Sequence, residues 1–464
     1  MTAVCASLLL LLGTCACTGG EDEQVLRIAL PVDVTATDVN GDGGVYTQLV
    51  RRWEEQNPGW DVDILWLSPR ADEQRSQLAV AMQTDPASYD VVLIDNQWVP
   101  EFSERSWIRA VDTEHDDLAW NGFLSRAQQA VCHLDRPWAV PLHMDVGLLY
   151  YRADLVDPDD IAEAIEADDA NSWQELLELA GEVRDEHGLP YGYTGQFGNY
   201  EGLTVNALEF LLHDAAGPDG GQELFIGEDD GACATAVATS TEFGGLRPLE
   251  DEFTHGRAGE SVIPASALEE TETESLNRFR DGDVVFMRHW PRAVPQLQAD
   301  AGGTETLQEG LEWVGWGGKA EGAEPAFGVL PLPTAVLGGN GLAVTEGTRH
   351  PEEAWSLVRT MTDEDAQEDL HASGLLPARR SGYQLETGSS TDAHYWENLR
   401  KVIDQGYLRP RTPYYPYVSE VLRRHVHLRL HPTTPDPSFE DMSCELNAAL
   451  EGIAVTDGSC ESDS

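Results

Sequence analysis

At 464 residues the chain is too long for one ordinary hydrophobic core, and 41% apolar content with 13 Trp and 13 Tyr is enough to build two or more. Its 82 Asp and Glu against 29 Lys and Arg give a formal charge of −53, which makes nucleic acid and anionic membrane surfaces poor partners, because a polyanion repels them. Such charge reads as a solvated acidic shell suited to high salt, where self-repulsion is screened, and not as a binding site; disorder is the competing reading, and the periodic apolar segments that follow argue against it.

The chain starts "MTAVCASLLLLLGTCACTGGEDEQ". The run Leu8 to Leu12 is too short to span a bilayer. Small residues and a Gly/acidic spacer follow, which is the shape of a signal peptide without the usual basic n-region. Ala16-Cys17-Thr18-Gly19-Gly20 resembles a bacterial lipoprotein cleavage site. The expectation is a lipid on Cys17, residues 1–16 removed, 1–24 serving as leader, anchor and spacer, and the protein held at the extracellular face of the cell membrane. Cys15 is the alternative site. A plain cleaved secretory signal is the other reading, and it also places the protein outside the cytoplasm.

Downstream, "LRIALPV" is a strand, and Val45, Leu49, Val50 and Trp53 recur at helical spacing until "NPGW" stops them. "VDILWL" is the next strand, "DEQRSQLAVAMQTDP" a helix, and "YDVVLID" a third strand apolar enough to be buried on both faces. This βαβαβ order implies an α/β fold with a parallel sheet, whose ligands sit beyond the carboxyl ends of the strands. Asp95 and Asn96 lie at such an end, just before Trp98. "NSWQELLELAGEVRDEHG" is a capped helix, and further helices are expected over 203–212, 268–279, 352–360, 363–371 and 419–429. "DVVFMRHW", "FGVLPLP" and "NGLAVT" add short strands.

Four cysteines remain after Cys17, namely Cys132, Cys233, Cys444 and Cys460. In an exported chain they suggest two disulfides. Cys444 and Cys460 close a short loop and are the favoured pair; Cys132 with Cys233 follows only by elimination. No Cys/His spacing suggests zinc. "DVNGDG" at 38–43 opens like an EF-hand loop, but position twelve is Leu49, so the closing carboxylate is absent. No metal and no cofactor is expected.

A ligand of many hydroxyls and apolar ring faces needs carboxylates, amides and Arg, with flat aromatics beside them. Trp316 in "WVGWGGK" is a possible aromatic platform. Gly339 in "GGNG" allows close backbone approach. Tyr200 and Glu201 stand at the mouth of an apolar helix; a glutamate there also suits the helix dipole without any ligand. Trp290 ends a strand and precedes Pro291.

Several stretches occur in an order that resembles bacterial extracellular solute-binding proteins, the sugar-binding components of ABC importers, in the maltose/trehalose branch. They include "YDVVLIDNQWVPEFSERSWI", "WAVPLHMDVGLLYYRADL", "YEGLTVNALEFL", "FRDGDVVFMRHWP", "RHPEEAWSLVRTMT", "LPARRS" and "RPRTPYYPYVS". The resemblance covers about Val25 to Arg424. It implies a two-lobe periplasmic-binding-protein fold of type II, with discontinuous lobes that close on ligand. The first lobe would hold 25–142 plus 290–344, the second 147–287 plus 349–464, with crossings near 142–147, 287–292 and 343–349.

The resemblance also implies a function: a monomer that binds a di- or oligosaccharide, such as trehalose, maltose or sucrose, and hands it to the permease subunits, with no chemistry of its own. It adds Asp145 at the first crossing, Trp290 as the cleft tryptophan, and Arg409, with Arg411 as the alternative. It points to Tyr200 and Glu201 as cleft wall and to Asp42, or Asp38, in the loop before the first helix. Arg292 and Arg379 are weaker neighbours. An exported glycoside hydrolase is the alternative from another class, since it too shows aromatics and paired carboxylates.

Overall fold

The alternation of apolar strand runs and amphipathic helices folds, among the described residues, as two large sheets and one small two-stranded sheet. The computed structural model describes residues 24–32, 44–113, 118–166, 172–215, 243–255, 261–300, 315–316, 327–384, 390–431 and 438–454. In chain order the strands are β1 (Val25–Pro31), β2 (Asp61–Leu67), β3 (Val91–Asp95), β4 (Cys132–His133), β5 (Arg136–Pro137), β6 (Val140–Val146) and β7 (Leu148–Arg152). They continue with β8 (Tyr191–Thr194), β9 (Val284–His289), β10 (Gly315–Trp316), β11 (Phe327–Pro331), β12 (Val336–Val344), β13 (Leu376–Pro377) and β14 (Tyr407–Leu408).

The first sheet runs β13-β6-β12-β3-β1-β2, with β14 beside β12. β1 pairs in parallel with both β2 and β3, and the helices Val45–Gln56 and Ala71–Thr84 make the two crossovers. The apolar run of β3 is buried along its length, with Asp95 at its open carboxyl end. The second sheet runs β10-β11-β7-β9-β8. Helices Ser172–His187, Glu201–Ala215, Tyr415–Leu430 and Phe439–Leu450 bury Trp173, Leu208, Leu422 and Leu446 in the core on that side.

The chain passes between the sheets at Gly147, between β6 and β7. It passes again after β9, where helix Ala293–Asp300 puts Ala293, Val294 and Leu297 into the first core. The remaining crossings differ from expectation. The expected first lobe includes 290–344, but β11 pairs with β7 in the second sheet, and only β12 returns to the first. The expected second lobe includes 349–464, but Leu357, Leu370 and Leu399 pack in the first core, and β13 and β14 extend the first sheet. The chain joins the second core from helix Tyr415–Leu430 onward. The physical reason is that β11 and β12 are both short buried apolar runs; strand pairing, not burial, chooses the sheet.

The expected helix over 268–279 is divided. A 3-10 turn covers Ala265–Glu269, and the α-helix starts afresh at Glu272 behind a Thr271/Glu274 capping box. Cys132 and Cys444 are each disulfide-bonded. Their expected partners Cys233 and Cys460 lie outside the described residues, as do Cys17, Asp38 and Asp42. Among the described residues no helix is long and apolar enough to cross a membrane.

Candidate functional site

Strand ends and helix starts from both sheets converge on one cavity of about 1000 Å³. That is at the upper end of the range for small-molecule sites. The carboxyl end of β3 brings Asp95, the crossing at β6 brings Asp145, and the end of β9 leads into Trp290. The start of helix Glu201–Ala215 brings Tyr200 and Glu201, and the segment after β14 brings Arg409. Gly339 of β12 completes the predicted residues in the wall. Asn96 is buried one layer behind, against Gly339. Trp316 sits in β10, paired with Phe327 at the edge of the second sheet.

Gly339 has to be glycine for two reasons. Its φ is +131°, and a Cβ there would lie 2.6 Å from the His143 carbonyl oxygen and 3.0 Å from Asn96 Nδ2. Next to it the register with β6 shifts between Asn340 and Gly341, leaving Leu142 unpaired. The glycine is therefore spent on its own neighbours as well as on access.

Arg409 is buried and doubly paired. Nη2 donates to Asp95 Oδ1 at 2.7 Å and Nη1 to Glu201 Oε1 at 3.0 Å. Glu201 also accepts from the Tyr415 hydroxyl and, at 2.7 Å, from Ser419 Oγ. Burial raises the Glu201 carboxyl against the pull of Arg409, Tyr415 and Ser419. Burial works to lower Arg409, but Asp95, Tyr415 and Glu201 outweigh it and raise it further. Arg411 turns elsewhere, donating to the Gln129 carbonyl at 2.7 Å.

In the same lining Glu272 gathers three partners. It accepts from Tyr200 Oη at 2.8 Å and Trp290 Nε1 at 3.2 Å, and it stands 3.8 Å from Arg292. Burial works to raise this carboxyl, but Arg292, its own amide and Tyr200 hold it below the usual carboxylate range. Trp290 is half-buried against the second core and faces the cavity. Tyr200 lies across the first turn of its helix; a Cβ on Gly202 would sit 2.4 Å from the phenol ring.

The Asp145 carboxylate accepts from the Val146 amide at 3.0 Å. Burial pushes it up to about 6 despite Arg292 nearby. Burial also holds His143 down to about 4, so its neutral ring pairs with Tyr46 Oη at 2.9 Å. His289, likewise lowered to about 4 by burial and Arg292, has Nε2 3.1 Å from the Glu272 carbonyl oxygen and Nδ1 3.3 Å from that of Trp290; its neutral ring carries one N–H and donates to one of them. Among the described residues no group of His, Cys, Asp and Glu could hold a metal ion.

Glu272, His143, His289 and Tyr46 were not singled out from the sequence, although all line the cavity. Only Glu272 carried a signal. "TETE" at 271–274 marks a helix start, and the first turn there presents a carboxylate as Glu201 does on its own helix. The described lining holds five carboxylates (Asp95, Asp145, Glu201, Glu269, Glu272) and four arginines (Arg70, Arg280, Arg292, Arg409). The cavity is thus nearly charge-balanced inside a strongly acidic chain.

Residues 36–368 match the model of the bacterial extracellular solute-binding protein family. A probable ABC transporter-binding protein of Deinococcus radiodurans is 31% identical over 233 residues, 49% of this chain and 48% of that protein, so the chain spans about half the length of the curated relative it matches. Among solved structures, maltose-bound MalE3 of T. maritima aligns with a TM-score of 0.69 at 22% identity, over 91% of this chain and 99% of that one. The GacH receptor of Streptomyces glaucescens, solved unliganded and with acarbose, gives 0.67 at 18%, over 92% and 99%. Identities this low speak for the fold, the two-lobe α/β arrangement expected from the sequence. The family model, which covers most of the chain, decides the family: this chain belongs to the bacterial extracellular solute-binding proteins.

Proposed function

We propose that the chain is the substrate-binding component of an ABC importer and takes a di- or oligosaccharide, of the trehalose, maltose or sucrose kind, between its two lobes. It acts without chemistry and delivers the sugar to permease subunits. It works as a monomer on the extracellular face of the cell membrane, held by a lipid on Cys17. The observation that carries this reading is the charge-balanced cavity of about 1000 Å³ with Trp290 in its wall. A neutral polyhydroxy ligand suits such a lining: carboxylates and arginines meet hydroxyls, and an indole covers C–H faces. A strongly charged ligand would meet as much repulsion as attraction. The bound maltose of the T. maritima protein and the acarbose of the Streptomyces receptor support the sugar class. The likeness to the probable ABC transporter-binding protein of Deinococcus supports the transporter.

A thermal-shift screen with trehalose, maltose and sucrose tests it, with chromatography of the same samples. The expected result is stabilisation of ~2.7 kcal/mol at a hundredfold excess over Kd, with the sugar recovered intact. Hydrolysed sugar would establish the glycosidase instead, and no shift with any sugar overturns the ligand class. Scattering should show a smaller radius of gyration with sugar bound. Intact mass of the membrane fraction checks the anchor; a soluble form starting elsewhere removes it.

A further inference from the structure

Behind the cavity wall lies an ion pair that no step of ligand contact uses. Arg288 and Glu209 both have fully buried side chains, 0% exposed. Arg288 Nε donates to Glu209 Oε2 at 3.0 Å and Nη2 to Oε1 at 2.6 Å. Its remaining nitrogen, Nη1, donates to Gln196 Oε1 at 3.0 Å, and Gln196 is itself fixed on Ser275 and the Arg288 carbonyl. A guanidinium held at three points cannot rotate. Its carbon stands 3.9 Å from the centre of the Trp290 ring, so one face of that indole is covered by a flat, immobile cation. The same pair touches the crossing between the sheets. A Cβ on Gly147 would lie 2.2 Å from Glu209 Oε1 and 2.7 Å from Arg288 Nη2.

A buried pair of this kind gives little net stability over apolar residues of similar volume. Its geometry gives something else. We propose that Arg288, locked by Glu209 and Gln196, is the positioning residue of the Trp290 platform and fixes the ring relative to the Gly147 crossing. The indole plane is then set at the crossing strands, with the Glu272 hydrogen bond holding its Nε1 edge. A ligand meets a wall already oriented. This rests on the reading of Trp290 as a sugar platform; the placement of the ring itself does not.

The test uses the full chain labelled with 5-fluorotryptophan, with the Trp290 fluorine line assigned by its loss in Trp290→Phe. Arg288→Lys keeps a cation for Glu209 but loses the planar face and the fork. The Trp290 line is expected to shift while the lines of Trp53 and Trp396 stay. Maltose affinity by calorimetry is expected to fall ~10-fold. If the lysine variant does not fold, Arg288→Met with Glu209→Leu removes both charges together and should move the same line. Gly147→Ala supplies the remote arm: it drives a methyl into the Glu209 carboxylate and should move the Trp290 line without touching the ring. An unmoved line in a folded Arg288 variant overturns the proposal. A moved line with unchanged maltose affinity, in these variants and in Trp290→Ala alike, leaves the positioning standing and removes the sugar-platform reading.

Discussion

Arg409 Nη2 lies 2.7 Å from Asp95 Oδ1. Asp95 ends a strand of the first sheet, and the other arm of the same guanidinium reaches Glu201 at the start of a helix in the second core, 3.0 Å away. One cation therefore joins carboxylates from both sides of the cavity. Its two partners are mostly buried, so neither can be left alone cheaply.

Arg409→Met should cost about 3–5 kcal/mol of unfolding free energy, because it leaves Asp95 and Glu201 facing each other without a cation. Arg409→Lys should recover only part, since one ammonium cannot fork to two carboxylates. Chemical denaturation of the three proteins checks this. A loss under about 1 kcal/mol in the methionine variant would mean that the pair is hydrated like a surface bridge.

Trp290→Ala should lower sugar affinity by ~10–1000-fold, the range of a binding hot spot. If the ring served only the second core, against which it packs, the main loss would be about 3–5 kcal/mol of stability with affinity largely kept. Calorimetric binding and denaturation, measured on one preparation, separate the two.

Burial pushes Asp145 up to about 6. The folded protein thus holds that proton more tightly than the unfolded chain does. The associated stabilisation is complete below about pH 4 and is lost as pH rises through about 6. Asp145→Asn cannot ionise, so its stability relative to the parent should rise between about pH 4 and about pH 7, by on the order of 1–2 kcal/mol. His143 and His289 titrate in both proteins and largely cancel in the comparison. A difference that stays flat across the two pH values refutes the raised carboxyl.

Added salt should stabilise the protein, because a formal charge of −53 repels itself at low ionic strength. The melting temperature is expected to climb from low to molar salt. A flat or falling curve would mean that the paired arginines, which salt weakens, outweigh the acidic shell.

The sequence by itself determined the elements and one corner of the cavity. The run "YDVVLID" is apolar at every position a doubly buried strand requires, and a parallel strand so buried ends at a ligand-facing edge; Asp95 follows from those two facts. The family resemblance pointed to Asp145, Tyr200, Glu201, Trp290 and Arg409 as cleft residues, and all five line the cavity. What only the tertiary structure decided is pairing across distance. Nothing local to Phe327–Pro331 says that it joins β7, because sheet membership is set by backbone register against strands far away in sequence. Nothing local to Glu209 says that it meets Arg288, or that Glu201 meets Tyr415 and Ser419. A buried carboxylate inside an apolar helix pattern looks like an interruption until its cation arrives from another strand. Periodicity records which face is buried, and it carries no record of the partner that makes burying a charge tolerable.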